Sequence, residues 1–121
     1  MNGHAFCIIE DKYKTEQLCM LAVKNEFNAL EYVPWHLRTP KICLAAVKNN
    51  GCALEQVPWH LRNAKICLAA VKECGEALEF VPEVLKTGEL CLVALKNGRH
   101  REWIMRFVPE NLQTFVLEEI K

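Results

Sequence analysis

The sequence predicts an all-α fold: an α-solenoid of four full 24-residue two-helix repeats, the fourth with a three-residue insertion, flanked by half-repeats. Self-similarity is the first observation behind this. Shifted by 24 residues, the chain falls on itself. Leu18-Cys19-Met20-Leu21-Ala22-Val23-Lys24 recurs as Ile42-Cys43-Leu44-Ala45-Ala46-Val47-Lys48, as Ile66-Cys67-Leu68-Ala69-Ala70-Val71-Lys72 and as Leu90-Cys91-Leu92-Val93-Ala94-Leu95-Lys96. A second block, Ala29-Leu30-Glu31-Tyr32-Val33-Pro34, recurs at 53–58 and 77–82, and its last copy, Ile104 to Pro109, arrives three residues late. The second observation is a set of capping residues, Thr15, Thr39, Asn63, Thr87 and Thr114, each just before an apolar block. The third is that the first block is apolar nearly all round, the mark of a helix buried on several sides.

Taken in order, a half-repeat covers 1–14, repeats cover 15–38, 39–62, 63–86 and 87–113, and a half-repeat closes 114–121, all within a single domain. Within each repeat, the capping oxygen accepts from an orphan N–H and starts helix A, expected at about 16–25, 40–49, 64–73 and 88–97. Pro40 sits where a missing N–H costs nothing, and the closing lysines suit the helix dipole. Gly51 and Gly75 follow where a left-handed stop is expected. A shorter helix B of about two turns comes next, as at Cys52 to Gln56, and the following proline ends it at the preceding valine. A single turn such as Pro58-Trp59-His60-Leu61 leads into the next cap. No helix here is long enough to persist alone, so stability must come from contact between neighbouring repeats.

Composition narrows the chemistry. The 121 residues suffice for one domain with a core, and 15 Lys+Arg balance 15 Asp+Glu, so no global field draws nucleic acid or anionic lipid. Serine is absent and Asp11 is the only aspartate, which excludes a serine nucleophile and disfavours paired-Asp metal or acid–base sites. The longest apolar runs have six residues, far below the roughly 18 needed to span a bilayer. An odd count of seven cysteines and a start without a secretory pattern lead to the expectation of a reduced, cytoplasmic protein.

The pattern Gly-x-Ala-Leu-x-x-Val-Pro-x-x-Leu followed by Leu-Cys-Leu-x-Ala-Val-Lys resembles the bacterial and protist repeat family called domain of unknown function 4116, over about residues 5–121. The resemblance implies a helical repeat and carries no established activity or site residues. The chain departs from the family pattern at Trp35-His36 and Trp59-His60, where acidic or polar residues are more usual, and at the insertion. Repeats three and four keep Glu83 and Glu110 at the tryptophan position.

Candidate sites divide as follows. Cys19, Cys43, Cys67 and Cys91 fall one per repeat; with helices about 8–10 Å apart they are too distant for a disulfide or a Cys₄ cage and read as small apolar spacers. Cys52 and Cys74 fall at the turns outside that slot, exposed enough to oxidise or simply turn residues. Trp35-His36-Leu37-Arg38 and Trp59-His60-Leu61-Arg62 carry a repeated core leucine beside tryptophans that repeats three and four do without. They form either an aromatic, weakly basic binding stripe or a completion of the core. Arg99, His100, Arg101 and Trp103, with Arg106 nearby, make the one local basic cluster. Lys24, Lys48, Lys72 and Lys96 form one basic ladder, Lys14, Arg38, Arg62 and Lys86 a second, and Glu31, Glu55 and Glu79 an acidic one. All three are expected to be exposed and solubilising.

The expected function is a non-enzymatic adaptor that binds a protein or peptide along its extended surface through Trp35, His36, Arg38, Trp59, His60, Arg62 and the 99–103 cluster. No cofactor, metal or membrane partner is expected. A nucleic-acid-binding repeat is the alternative, predicting steep salt dependence, and a Cys/His-dependent enzyme comes third. Apolar residues at both ends, Phe6/Ile8/Ile9 and Phe115/Leu117/Ile120, also suggest end-to-end self-association.

Overall fold

The computed structural model describes residues 3–120, whose regular structure is all helical, with no strand among them. Positions 1–2 and 121 of the expected half-repeats lie outside the described residues. Among the described residues seven α-helices run in chain order: α1 (Gly3–Ile8), α2 (Glu16–Asn25), α3 (Pro40–Asn49), α4 (Ala64–Glu73), α5 (Gly88–Asn97), α6 (Arg101–Met105) and α7 (Glu110–Glu119). Helices α2 to α5 fall where the sequence places helix A. Their caps form as the side chains require: Thr15, Thr39, Asn63 and Thr87 accept from the backbone N–H of Leu18, Ile42, Ile66 and Leu90 at 2.9–3.3 Å.

The segment expected as helix B is a 3-10 helix in the first three repeats, at Ala29–Tyr32, Gly51–Gln56 and Gly75–Phe80, and an α-helix, α6, only in the fourth. A tight i→i+3 spiral suits a piece this short. Val33, Val57 and Val81 leave it in extended geometry ahead of proline, with ψ of 126–132°. The turn after each proline is a single 3-10 turn: Trp35–Leu37, Trp59–Leu61 and Glu83–Leu85.

Two further expectations need correction. Thr114 caps nothing: it lies inside α7, which starts four residues earlier behind Pro109. At this point Gln113 stands where the earlier repeats carry Lys or Arg. Its amide donates only to Val108 O (3.2 Å), and the chain stays helical past it. Gly51 and Gly75 do not adopt a left-handed conformation, since no described glycine has positive φ. They are required for close approach: a methyl group at Gly51 would strike the Ala70 carbonyl, and one at Gly75 the Ala94 carbonyl. Each glycine therefore lets a 3-10 segment press directly on the α-helix that follows it.

Helix α2 packs on α3, α3 on α4, α4 on α5 and α5 on α7; alongside, the 3-10 segments pack one on the next between α1 and α6. One continuous core results. Leu30, Leu54 and Leu78 line it from the 3-10 segments and Ile42, Ile66 and Leu95 from the helices, all almost wholly buried. Each such side chain contributes about 1.5–3 kcal/mol. The repeated leucines Leu37, Leu61, Leu85 and Leu112 are partly buried against this core, leaving the residues just before them on the outside. Among the described residues no helix is long and apolar enough to cross a membrane.

Candidate functional site

The turns after Pro34 and Pro58 hold the tryptophan pair. Each proline fixes an extended entry (ψ 143° and 139°), the leucine turns inward, and tryptophan and histidine turn outward. Trp35 and Trp59 are 65% and 66% exposed, and His36 and His60 are exposed beside them. The indoles are therefore surface groups and do not complete the core.

Arg38 and Arg62 are not part of an exposed stripe. Both are buried, at 7% exposure, and so are Lys14 and Lys86 at the equivalent positions. The ladder expected to face solvent is thus an internal one. Its cause is the supply of carbonyls at the ends of the 3-10 segments, which need donors once water is excluded. Arg38 donates from Nε to Val33 O (2.8 Å) and from its terminal nitrogens to Glu31 O (3.1 Å) and Gln56 O (2.7 Å). Arg62 repeats the set with Val57 O, Glu55 O and Phe80 O at 2.9–3.0 Å. Two of these carbonyls belong to the arginine's own repeat and one to the next, so each guanidinium staples neighbours together. Burial pushes both guanidinium pKa values down from their ordinary value, opposed by the nearby thiol and glutamate.

The indole closes over this staple. The Arg38 and Arg62 guanidinium carbons lie 4.2 and 4.0 Å from the centres of the Trp35 and Trp59 rings. Three residues before the buried cation, the flanking repeats place a carboxylate where these two place an indole. Lys14 pairs with Asp11 at 3.1 Å and Lys86 with Glu83 at 2.6 Å. Lys14 also donates to Tyr32 O (2.6 Å), eighteen residues on, the same offset as the cross-repeat bonds of Arg38 and Arg62. Sequence reading missed this function of the cations. Its signal was present, since the cation is lysine where the residue three before it is acidic and arginine where it is tryptophan.

The remaining site residues gather elsewhere. Arg99, His100, Arg101 and Trp103 line an open cleft of about 940 Å³ with Glu76, Glu102 and Arg106. The Glu76 carboxylate, which the sequence did not single out, accepts from Arg99 N (3.0 Å) and His100 N (3.4 Å) and so holds the insertion against the preceding repeat. Arg101 Nε donates to Leu95 O (3.2 Å), and Trp103 packs edge-on to Phe107 (5.5 Å) below Arg106. Trp35 and His36 border a different cleft of about 610 Å³, with Asp11, Glu31 and Tyr32 around it. The candidate residues therefore form two separate places, one at the tryptophan turns and one at the insertion.

The cysteine ladder is wholly buried. Desolvation pushes the Cys43 and Cys67 thiols up to about 11, only partly offset by Arg38 and Arg62, and raises Cys19 and Cys91 in the same way. These are neutral packing groups at physiological pH, and the thiolate a nucleophile requires is suppressed. Cys52 and Cys74, by contrast, are half-buried and meet sulfur to sulfur at 2.9 Å. No family model, curated protein or solved structure matches the chain.

Proposed function

We propose that the chain is a helical-repeat adaptor: an α-solenoid of four full repeats, of the kind the family resemblance implies, that binds a protein or peptide across its tryptophan turns and catalyses no reaction. One observation carries this reading. Trp35 and Trp59 occupy a position that an acidic residue fills in the flanking repeats, and about two-thirds of each indole is left in water. The stack therefore does not require an aromatic there, and an exposed tryptophan is the side chain most often found at the centre of a protein–protein contact. His36 and His60 beside the indoles, with Glu31 lining the cleft at Trp35, provide a polar rim. Burial of the cation ladder removes four positive charges that could otherwise follow a phosphate backbone, which favours a protein partner over nucleic acid. The suppressed ladder thiols argue in the same direction against a Cys/His nucleophile. Ile8, Phe115 and Leu117 leave apolar surface towards the two ends, which supports end-to-end self-association as a second use of the stack.

The test is affinity capture at low and high salt with the wild type and the Trp35→Ala/Trp59→Ala variant, partners being identified and then reconstituted from purified components. The expected result is a protein partner retained at both salt concentrations by wild type and lost by a well-folded variant. Nucleic acid retained only at low salt, or a partner indifferent to both substitutions, would contradict the reading.

A further inference from the structure

We propose that Cys52 and Cys74 form a two-electron redox site, a dithiol that small disulfides oxidise to a covalent bridge between neighbouring repeats. This inference is independent of the adaptor reading. Its first support is the place itself. Asn28, Cys52 and Glu76 occupy one repeat position, and Asn50, Cys74 and Gly98 another. At each level the two positions meet, and two of the three levels join through amide or carboxylate hydrogen bonds. Asn50 donates to Phe27 O (3.0 Å) and reaches Asn28 Oδ1 (3.5 Å), while Glu76 accepts from the backbone after Gly98. Only the middle level replaces this chemistry with two thiols, which are weak hydrogen-bonding groups; beyond the other sulfur, Cys74 Sγ donates only a long bond to Glu76 Oε1 (3.9 Å). Cys74 also gives up a function that its counterpart performs. Asn50 caps its 3-10 segment by accepting from Cys52 N (3.1 Å), whereas Cys74 makes no side-chain cap bond.

Geometry is the second support. The two sulfurs lie 2.9 Å apart, so closing to a bond of about 2.05 Å takes a shift of less than about 1 Å. The approach is possible because position 51 is glycine: a Cβ there would sit 2.8 Å from both Cys74 Cβ and Cys74 N. Both thiols are half-buried rather than enclosed, unlike the ladder cysteines, so a small reagent can reach them.

The chemistry then balances as thiol–disulfide exchange. One of the two sulfurs, once deprotonated, attacks one sulfur of a low-molecular-weight disulfide; the S–S bond of the reagent breaks and its other half leaves as a thiol after taking a proton. The other cysteine then loses its proton as its sulfur attacks the protein sulfur of the mixed disulfide, and the second half of the reagent departs as a thiol. The protein gives up two protons and two electrons, and the reagent gains both. Burial and the hydrogen bond with Cys74 push the Cys52 thiol up to about 12, with the Cys74, Glu76 and Glu55 charges acting in the same sense.

The experiment treats the full chain, folded, with oxidised glutathione and maps all cysteines by mass spectrometry without reduction. The expected product is an intramolecular Cys52–Cys74 link, reversed by dithiothreitol, with a melting temperature raised by roughly 5–15 °C because a loop of about 23 residues is closed. Cys52→Ser is expected to stop at glutathione attached to Cys74. The proposal is overturned if both thiols of the wild type still alkylate after oxidation while exposed Cys7 is modified. It is equally overturned if the bridge that forms joins two chains.

Discussion

In the two central turns the buried cation is an arginine under an indole; in the two flanking ones it is a lysine beside a carboxylate. The slot is the same, and all four cations are buried to the same degree. A lysine ammonium is a compact charge and is neutralised by Asp11 or Glu83 lying alongside. A guanidinium is flat and carries five donors, so it can satisfy three carbonyls at once and still offer a face for stacking. With its charge dispersed over backbone dipoles, the arginine does not require a carboxylate, and the outer position is released to hold tryptophan. The difference shows how a repeat keeps its internal staple while placing an indole on the surface above it.

Removing the cation is the strongest way to break this comparison. Arg62→Ala leaves the carbonyls of Glu55, Val57 and Phe80 without their donor and is expected to cost about 3–5 kcal/mol. Lys86→Ala removes a pair whose carboxylate is 74% exposed, and is expected to cost only about 1–2 kcal/mol. Urea denaturation of the two variants measures the gap, and equal losses would remove the distinction between the two kinds of staple.

A pH titration comes next in size. The buried ladder thiols have folded pKa values above that of an exposed thiol, at about 11 for Cys43 and Cys67 against an ordinary 9.0. Below pH 9 both folded and unfolded chains keep these protons, and the stabilisation is complete. Between about pH 9 and 11 the unfolded chain loses them first, so stability falls as pH rises, by the order of 2 kcal/mol per thiol. Cys67→Ala is expected to be less stable at pH 7 yet to show a shallower decline above pH 9. A decline as steep as that of wild type would mean that Cys67 does not contribute.

A smaller effect sharpens the comparison. Arg62→Lys alone keeps the charge but loses two carbonyl bonds and has no acid beside it, for a cost of about 2 kcal/mol. Adding Trp59→Glu recreates the flanking arrangement and is expected to recover about 1 kcal/mol of that loss. Additive losses in this double-mutant cycle would show that residues 59 and 62 do not act as a pair.

Much of the fold is legible in the sequence because its signals are local. The apolar blocks with Thr15, Thr39, Asn63 and Thr87 ahead of them place α2 to α5, since a cap and a periodic run need no distant partner to be recognised. The 3-10 form of the second segment is not legible, because a short apolar run before proline reads alike for either spiral. Thr114 misleads because it has the right spacing but follows Gln113, which lacks the reach of the buried cations. Arg38 and Arg62 read as surface groups because charge at regular spacing ordinarily means solvent; only the carbonyls of the neighbouring segment reveal otherwise. The Cys52–Cys74 meeting depends on the register between repeats, two residues short of the repeat length, which no single segment displays.

The central claim is that Trp35 and Trp59 lie outside the core and are free to bind. Equilibrium denaturation of the Trp35→Ala/Trp59→Ala variant tests it most directly. Removal of two largely exposed lids over arginines that keep all their carbonyl bonds is expected to cost no more than about 2 kcal/mol in total, with helical circular dichroism and cooperativity unchanged. A loss above about 4 kcal/mol, in the range of aromatic residues removed from a core, would contradict the account and return both indoles to the interior.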